Sequence, residues 1–267
     1  MAGFPDLTTP IASFHHGEFA LFELQAQKRG ERVAVCIPAR DEEATLGPIV
    51  ECVRRELLEG AGLVDELIVV DDGSVDRTCD VALGAGARVV KLSATPGRRA
   101  GKGAAMRRGI VESEGEIVVF LDGDVEGFGP HFVTGLLGPV LSRPETMLVK
   151  ACYRRPIGDS PSGGGRVTEL VARPVLALLF PELQGVVQPL AGEVAVRRRA
   201  LHDLELAEDY GVEMAMLIDV SRRFGPSAIA QVDLDVRVHR NRPLHELAPQ
   251  ARDVLDVALR RAGVPVL

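Results

Sequence analysis

The 267-residue chain has no tryptophan, two tyrosines and nine phenylalanines, so aromatics reach only 4%. That leaves no stock of stacking platforms for single-stranded nucleic acid. It also lacks a basic excess: 31 Lys+Arg stand against 38 Asp+Glu, a formal charge of -7. A polyanion partner normally needs a basic surface, so nucleic-acid binding is excluded as an expectation. Four cysteines, at 36, 52, 79 and 152, form no C-x-x-C pair and fit no zinc spacing. Incidental reduced thiols and a cytoplasmic location follow as the plain expectation. No run approaches 18 apolar residues, and no cationic segment with an apolar core opens the chain, so neither a membrane span nor a signal peptide is expected.

What the chain has is apolar material, 46% of its residues, arranged in short β-prone runs. Val33–Ile37, ended by Pro38, is the first, and a helix is predicted over 43–59. Glu66–Val70 is the second run, followed by a helix from Asp76 to Leu83. Arg88–Leu92 is the third, with a helix from Gly103 to Ser113, and Glu116–Leu121 is the fourth. This alternation predicts an α/β fold with a mostly parallel sheet flanked by helices, whose ligands bind at the carboxyl ends of the strands. After about residue 145 the rhythm changes. A strand is predicted over Met147–Tyr153, a flexible loop over 157–165 and a helix over 166–178. Then come a helix over Gly211–Phe224, a strand over Ile229–Val238 and a terminal helix over Pro243–Ala262. The first 30 residues read as an appended arm or helix.

Three strand ends carry polar residues. Asp122-Gly123-Asp124 places two carboxylates one residue apart after an apolar strand, a donor pair for a hard divalent cation such as Mg²⁺, or a polar turn. Asp71-Asp72-Gly73-Ser74 offers acids for a base edge or ribose hydroxyl, or a turn and helix cap. Gly97–Gly103 is glycine-rich and basic but is not a Walker A loop. It suits an anion through backbone amides and Lys102, or is a solvated loop. Gly163–Thr168 combines glycines with Arg166 and Thr168 before a helix, a candidate second anion site. Arg237, His239 and Asn241 share a side if their strand continues. His239 is a possible metal ligand, although a lone histidine is more often structural. Glu193, Glu208, Asp209 and Glu213 are further acids, of a kind usually merely solvated.

The ordered series Pro38–Glu43, Val69–Ser74 and Leu121–Asp124 resembles the GT-A, family-2-like nucleotide-sugar glycosyltransferases. Lys150–Pro156, Gly163–Pro174, Tyr210–Glu213 and Val238–Leu244 narrow the resemblance to the glucosyl-3-phosphoglycerate synthases and their mannosyl relatives, over roughly residues 32–265. It implies a Rossmann-like GT-A domain over 32–267 after an arm of 1–31. A nucleotide-sugar half would run over 32–145 and an acceptor half over 146–267. It implies transfer of a hexose, glucose from UDP-glucose first, to the 2-hydroxyl of 3-phosphoglycerate with retention at the anomeric carbon. Mg²⁺, replaceable by Mn²⁺ or Co²⁺, would be the cofactor, and the enzyme would be a homodimer without membrane attachment. Pro38, Ala39, Arg40, Glu42, Asp72, Lys102, Asp122 and Gly123 match donor contacts. Gly165, Arg166, Thr168, Arg237 and Asn241 match acceptor contacts. Asp124 and His239 match the metal ligands, and Glu213, with Asp124 and Lys102, the catalytic positions. Gly123, Arg40, Asp72 and the extra Arg98 and Arg99 depart from the pattern near the donor, so GDP-mannose stays open as the donor. A polyprenyl phosphate acceptor is the enzymatic alternative; it predicts an apolar acceptor surface or membrane helices. Glu208-Asp209 leaves inversion open, because inverting relatives use an acidic pair as general base.

Overall fold

The computed structural model describes residues 11–93, 97, 99–155, 165–202, 204–207, 209–237 and 244–266. The strands are β1 Ala12–His15, β2 Val33–Ala39, β3 Glu66–Asp71, β4 Arg88–Lys91, β5 Ile117–Phe120, β6 Leu148–Arg154, β7 Val194–Arg197 and β8 Ile229–Val236. The helices are α1 Leu21–Lys28, α2 Leu46–Cys52, α3 Thr78–Ala85, α4 Lys102–Glu112, α5 His131–Ser142, α6 Arg173–Leu179, α7 Arg198–Leu201, α8 Val212–Phe224 and α9 Leu244–Arg261. All eight strands join one sheet in the order β1-β8-β6-β7-β5-β2-β3-β4. Only β7 runs against its neighbours, pairing antiparallel with β5 and β6. The expected GT-A-type α/β architecture, a mostly parallel sheet between helical layers, is the observed one.

Period-two alternation sends successive side chains to opposite faces. Val33, Val35 and Ile37 of β2, with Val69 and Val119, pack into one core with α2 and α5. Cys36, Ile68, Val70, Val118 and Phe120 pack into the other with α4 and α8. Burial on both faces explains why these strands read as continuous apolar runs.

Several elements differ from the sequence expectation. β2 runs through Pro38 to Ala39, paired with β3. β5 pairs with β2 only as far as Cys36, so the missing N–H of Pro38 leaves no bond unmade on that side. α2 starts at Leu46 and continues as a π-helical stretch over Val53–Gly60. The stretch over Thr168–Ala172 before α6 is likewise π-helical. The amino-terminal stretch is not only helix: β1 adds an edge strand alongside β8, and Leu24 of α1 is buried. α5 and β7 had no counterpart in the sequence reading. The segment 156–164, expected to be a flexible loop, lies outside the described residues.

Candidate functional site

The carboxyl ends of β2, β3 and β5 open onto a cavity of about 700 Å³. Its lining brings together Pro38, Ala39, Arg40, Glu42 and Asp72 from the first two strand ends, and Asp122, Gly123 and Asp124 after β5. Lys102 at the start of α4, Gly165, Arg166 and Thr168 before α6, Glu213 of α8 and Arg237 just past β8 complete the set. Residues named from separate stretches of sequence thus share one wall-to-wall space. His239, Asn241, Glu208 and Arg98 lie outside the described residues. Asp209 is half-exposed, 3.6 Å from Arg99, and does not line the cavity.

A chain of ion pairs crosses the cavity. Lys102 Nζ donates to Asp122 Oδ1 at 2.7 Å and lies 2.7 Å from Glu213 Oε1. Burial alone would lower the Lys102 pKa; the carboxylates of Asp122 and Glu213 more than reverse that, and it lies well above the usual lysine range. Arg237 Nη2 donates to Asp122 Oδ2 at 2.9 Å and to Asp124 Oδ1 at 2.7 Å. Burial opposes ionisation of Asp122, but Lys102 and Arg237 outweigh it and hold the carboxyl far below its ordinary range. Behind Arg237 sits Glu193, fully buried, 2.9 Å from Arg237 Nε but without hydrogen-bond geometry to it. Tyr153 donates its hydroxyl to Glu193 at 2.7 Å, and Arg155 donates to Tyr153 at 2.7 Å. Burial raises the Glu193 pKa against the pull of Arg237. Burial likewise pushes Lys150, on the same strand as Tyr153, down to about 8.

Asp122 and Asp124 are the residues of the cavity that could hold a divalent cation. One oxygen from each converges on a single cationic atom, Arg237 Nη2, within hydrogen-bond distance. Two hard oxygens that converge in this way could also hold Mg²⁺ or Mn²⁺. The cavity also holds two buried guanidinium nitrogens, Arg40 Nη1 and Arg155 Nε, without hydrogen-bond partners among the described residues. Unmet donors suit an anionic ligand.

One expectation changes. The backbone amides of the Gly97–Gly103 segment were candidates for a phosphate; Ala100 and Gly101 instead donate to Asp72 Oδ1 and Oδ2, at 2.6 and 3.0 Å. Asp72, 5% exposed, serves as an internal anion that ties the α4 entry to the end of β3. Arg155 lies in a stretch that carried the resemblance but was given no role there, and Leu190 and, from α9, Leu247, Gln250 and Val254 were not singled out from sequence. The period of β6 was legible, but which of its faces meets the cavity depends on β7 and β8.

A second cluster lies at the outer edge, where His15 and His16 Nε2 reach Asp235 Oδ1 and Oδ2 at 3.3 and 2.7 Å. His15 Nδ1 accepts the Gly17 amide, so in the neutral ring Nε2 carries the proton. A metal-bound histidine donates from its second nitrogen, the reverse of this arrangement. The cluster is a closed hydrogen-bond network joining β1 to β8.

Comparison with known proteins agrees with this geometry. The family model "Glycosyl transferase family 2" matches residues 34–203. The glucosyl-3-phosphoglycerate synthase of Mycobacterium tuberculosis (strain ATCC 25618 / H37Rv) is 47% identical over 264 residues, covering 95% of this chain and 80% of the relative. That of Petrotoga mobilis is 43% identical over 260 residues, 93% of this chain and 80% of the relative. The crystal structure of the M. tuberculosis enzyme with Mn²⁺, UDP-glucose and phosphoglyceric acid superposes with a TM-score of 0.88 at 46% identity, covering 97% of this chain and 90% of that one. A second, with Mg²⁺ and UDP, gives 0.87 at 46% identity, covering 96% and 88%. Among the described residues no helix is long and apolar enough to cross a membrane. The chain belongs to glycosyl transferase family 2 and, within it, to the glucosyl-3-phosphoglycerate synthases.

Proposed function

We propose that the chain transfers glucose from UDP-glucose to the 2-hydroxyl of 3-phosphoglycerate, giving glucosyl-3-phosphoglycerate. The observation that carries the reading is the charge layout of the cavity. Paired carboxylates, Asp122 and Asp124, sit at one strand end, and Lys102, Arg155, Arg166 and Arg237 surround them. A nucleoside diphosphate sugar with a divalent cation fits the first set, and a small acid bearing carboxylate and phosphate fits the second. The M. tuberculosis relative binds UDP-glucose and phosphoglyceric acid together.

The donor's uridine is assigned to Pro38, Ala39, Arg40, Glu42 and Asp72, its sugar end to Asp122 and Gly123. Asp124 would hold Mg²⁺ with His239, and Asp122 stands beside it; the bound cation supplies charge neutralisation for the departing diphosphate. Lys102 adds a fixed cation for the same charge. Gly165, Arg166, Thr168, Arg237 and Asn241 take the acceptor. Glu213, clamped by Lys102, orients the sugar; the leaving phosphate helps to deprotonate the acceptor hydroxyl, giving retention. We also propose a homodimer, supported by Leu170 and Leu178, which are 72% and 80% exposed and eight residues apart on one helical stripe; sedimentation velocity reads this directly. Four free cysteines support a reducing, cytoplasmic setting.

Purified protein incubated with Mg²⁺, 3-phosphoglycerate and a panel of UDP-, GDP- and ADP-sugars tests the reading. Acceptor-dependent UDP release from UDP-glucose, with an α-linked product by NMR, is expected. Release only from GDP-mannose would transfer the donor assignment, a β-linked product would reject retention, and no acceptor-dependent release from any donor would reject the function.

A further inference from the structure

The stretch 190–193 crosses the floor of the cavity just before β7. Leu190 lines the cavity, and Ala191, Gly192 and Glu193 are buried beneath it. A Cβ on Gly192 would stand 2.1 Å from Asp122 Oδ1 and 2.5 Å from Lys102 Nζ. Bare backbone therefore lies directly against the central ion pair, and the residue that follows, Glu193, backs Arg237.

Gly192 has no side chain to hold it there. Its neighbours' carbonyls are held instead. Glu193 O accepts the Ala151 amide at 3.1 Å, a regular strand bond. Ala191 O accepts the ammonium of Lys150, which reaches it from the middle of β6. Lys150 is 1% exposed, and Ala191 O is its one hydrogen-bond partner among the described contacts. An amine at this depth is costly, as its lowered pKa records. A methionine would fill a similar volume without that cost. A buried ammonium drawn by Glu213 and Glu193, whose hydrogen bond goes to the floor of the site, points to a role in the site.

We propose that Lys150 is a positioning residue for the transfer: by holding the Ala191 carbonyl it sets Gly192 against the Lys102–Asp122 pair and fixes the floor on which the donor sugar rests. The proposal rests on the glucosyl-transfer reading of this cavity. Misplacing such a floor by about 1 Å costs on the order of 100-fold in turnover.

Lys150→Met tests it. Expected are a kcat lowered about 100-fold, a UDP-glucose KM within about threefold of wild type, and a thermal midpoint equal to or above wild type. A merely structural lysine would instead lower the midpoint. Wild-type kcat, or a kcat loss that follows a lowered midpoint, overturns the proposal. Crystal structures of both forms supply a readout independent of turnover. Displacement of 191–193 with a lengthened Lys102–Asp122 contact supports the proposal, and superimposable floors overturn it, even if the wild type proves to use another acceptor. Should Lys150→Met fail to fold, Lys150→Leu decides: a folded variant with wild-type kcat is incompatible with the proposal, and a folded variant with lost kcat and retained UDP binding supports it.

Discussion

Asp122 is bonded through one oxygen to Lys102 and through the other to Arg237. Its pKa lies below the ordinary range because those two cations outweigh burial. A carboxylate depressed in the fold contributes stability that is fully present above its unfolded value, 3.8, and is lost only as pH falls through the lower folded value. Asp122→Asn keeps the shape and removes the charge, and breaking a buried pair of this kind costs about 3 kcal/mol. Urea titrations at pH 7 and pH 5 are therefore expected to give the same difference between wild type and variant. A difference that has already shrunk at pH 5 would show that Asp122 is not held ionised. At this scale the site was partly legible. Asp-Gly-Asp after an apolar strand announces its own chemistry, whereas Lys150 and Glu193 look like ordinary surface charges in sequence. Their importance arises from burial, which depends on β7 filling the space between β5 and β6.

Elements were legible where the local pattern was long enough. β2 to β5 and their helices were readable because apolar strands alternate with turn-bounded helices. β7 was not, because four residues ending in Arg197 carry little pattern. α5 was not, because burial of every residue from Phe132 to Leu141 erases the amphipathic period. β1 gains its partner only from β8, more than 200 residues away. α5 also shows how the amino-terminal segment is held. A Cβ on Gly138 would lie 2.2 Å from the ring of Phe19, and one on Gly135 2.7 Å from Leu234. Gly138→Ala is expected to destabilise the fold by about 2 kcal/mol through overpacking. Phe19→Ala in the same chain should restore part of the loss, because the two sites share one contact. Additive losses in a double-mutant cycle of melting midpoints would contradict that contact.

The molecule as a whole carries a net charge of -7, yet the lining of its cavity sets six cationic side chains among six acidic ones. Local placement, not net charge, decides which anions it accepts. Arg237 links the two halves of this arrangement. It comes from the end of β8 and lies against carboxylates that follow β5 and precede β7. On the proposed metal assignment, the guanidinium occupies by charge the point where a divalent cation would meet Asp122 and Asp124, and the two would compete for the same oxygens. Replacing it exposes that competition. Arg237→Ala leaves Asp124 and Glu193 without their cation, so the melting midpoint should fall in the absence of metal. Mn²⁺ should then restore more stability to the variant than it adds to the wild type, since a ligand that binds the folded state more tightly stabilises it more, as the logarithm of concentration over Kd. Calorimetric titration should give tighter Mn²⁺ binding in the variant, while the KM for 3-phosphoglycerate rises because a cation of the acceptor site is gone. Equal or weaker Mn²⁺ binding in the variant would mean that Arg237 and the metal do not share these carboxylates, and that the guanidinium keeps its place when the cation arrives.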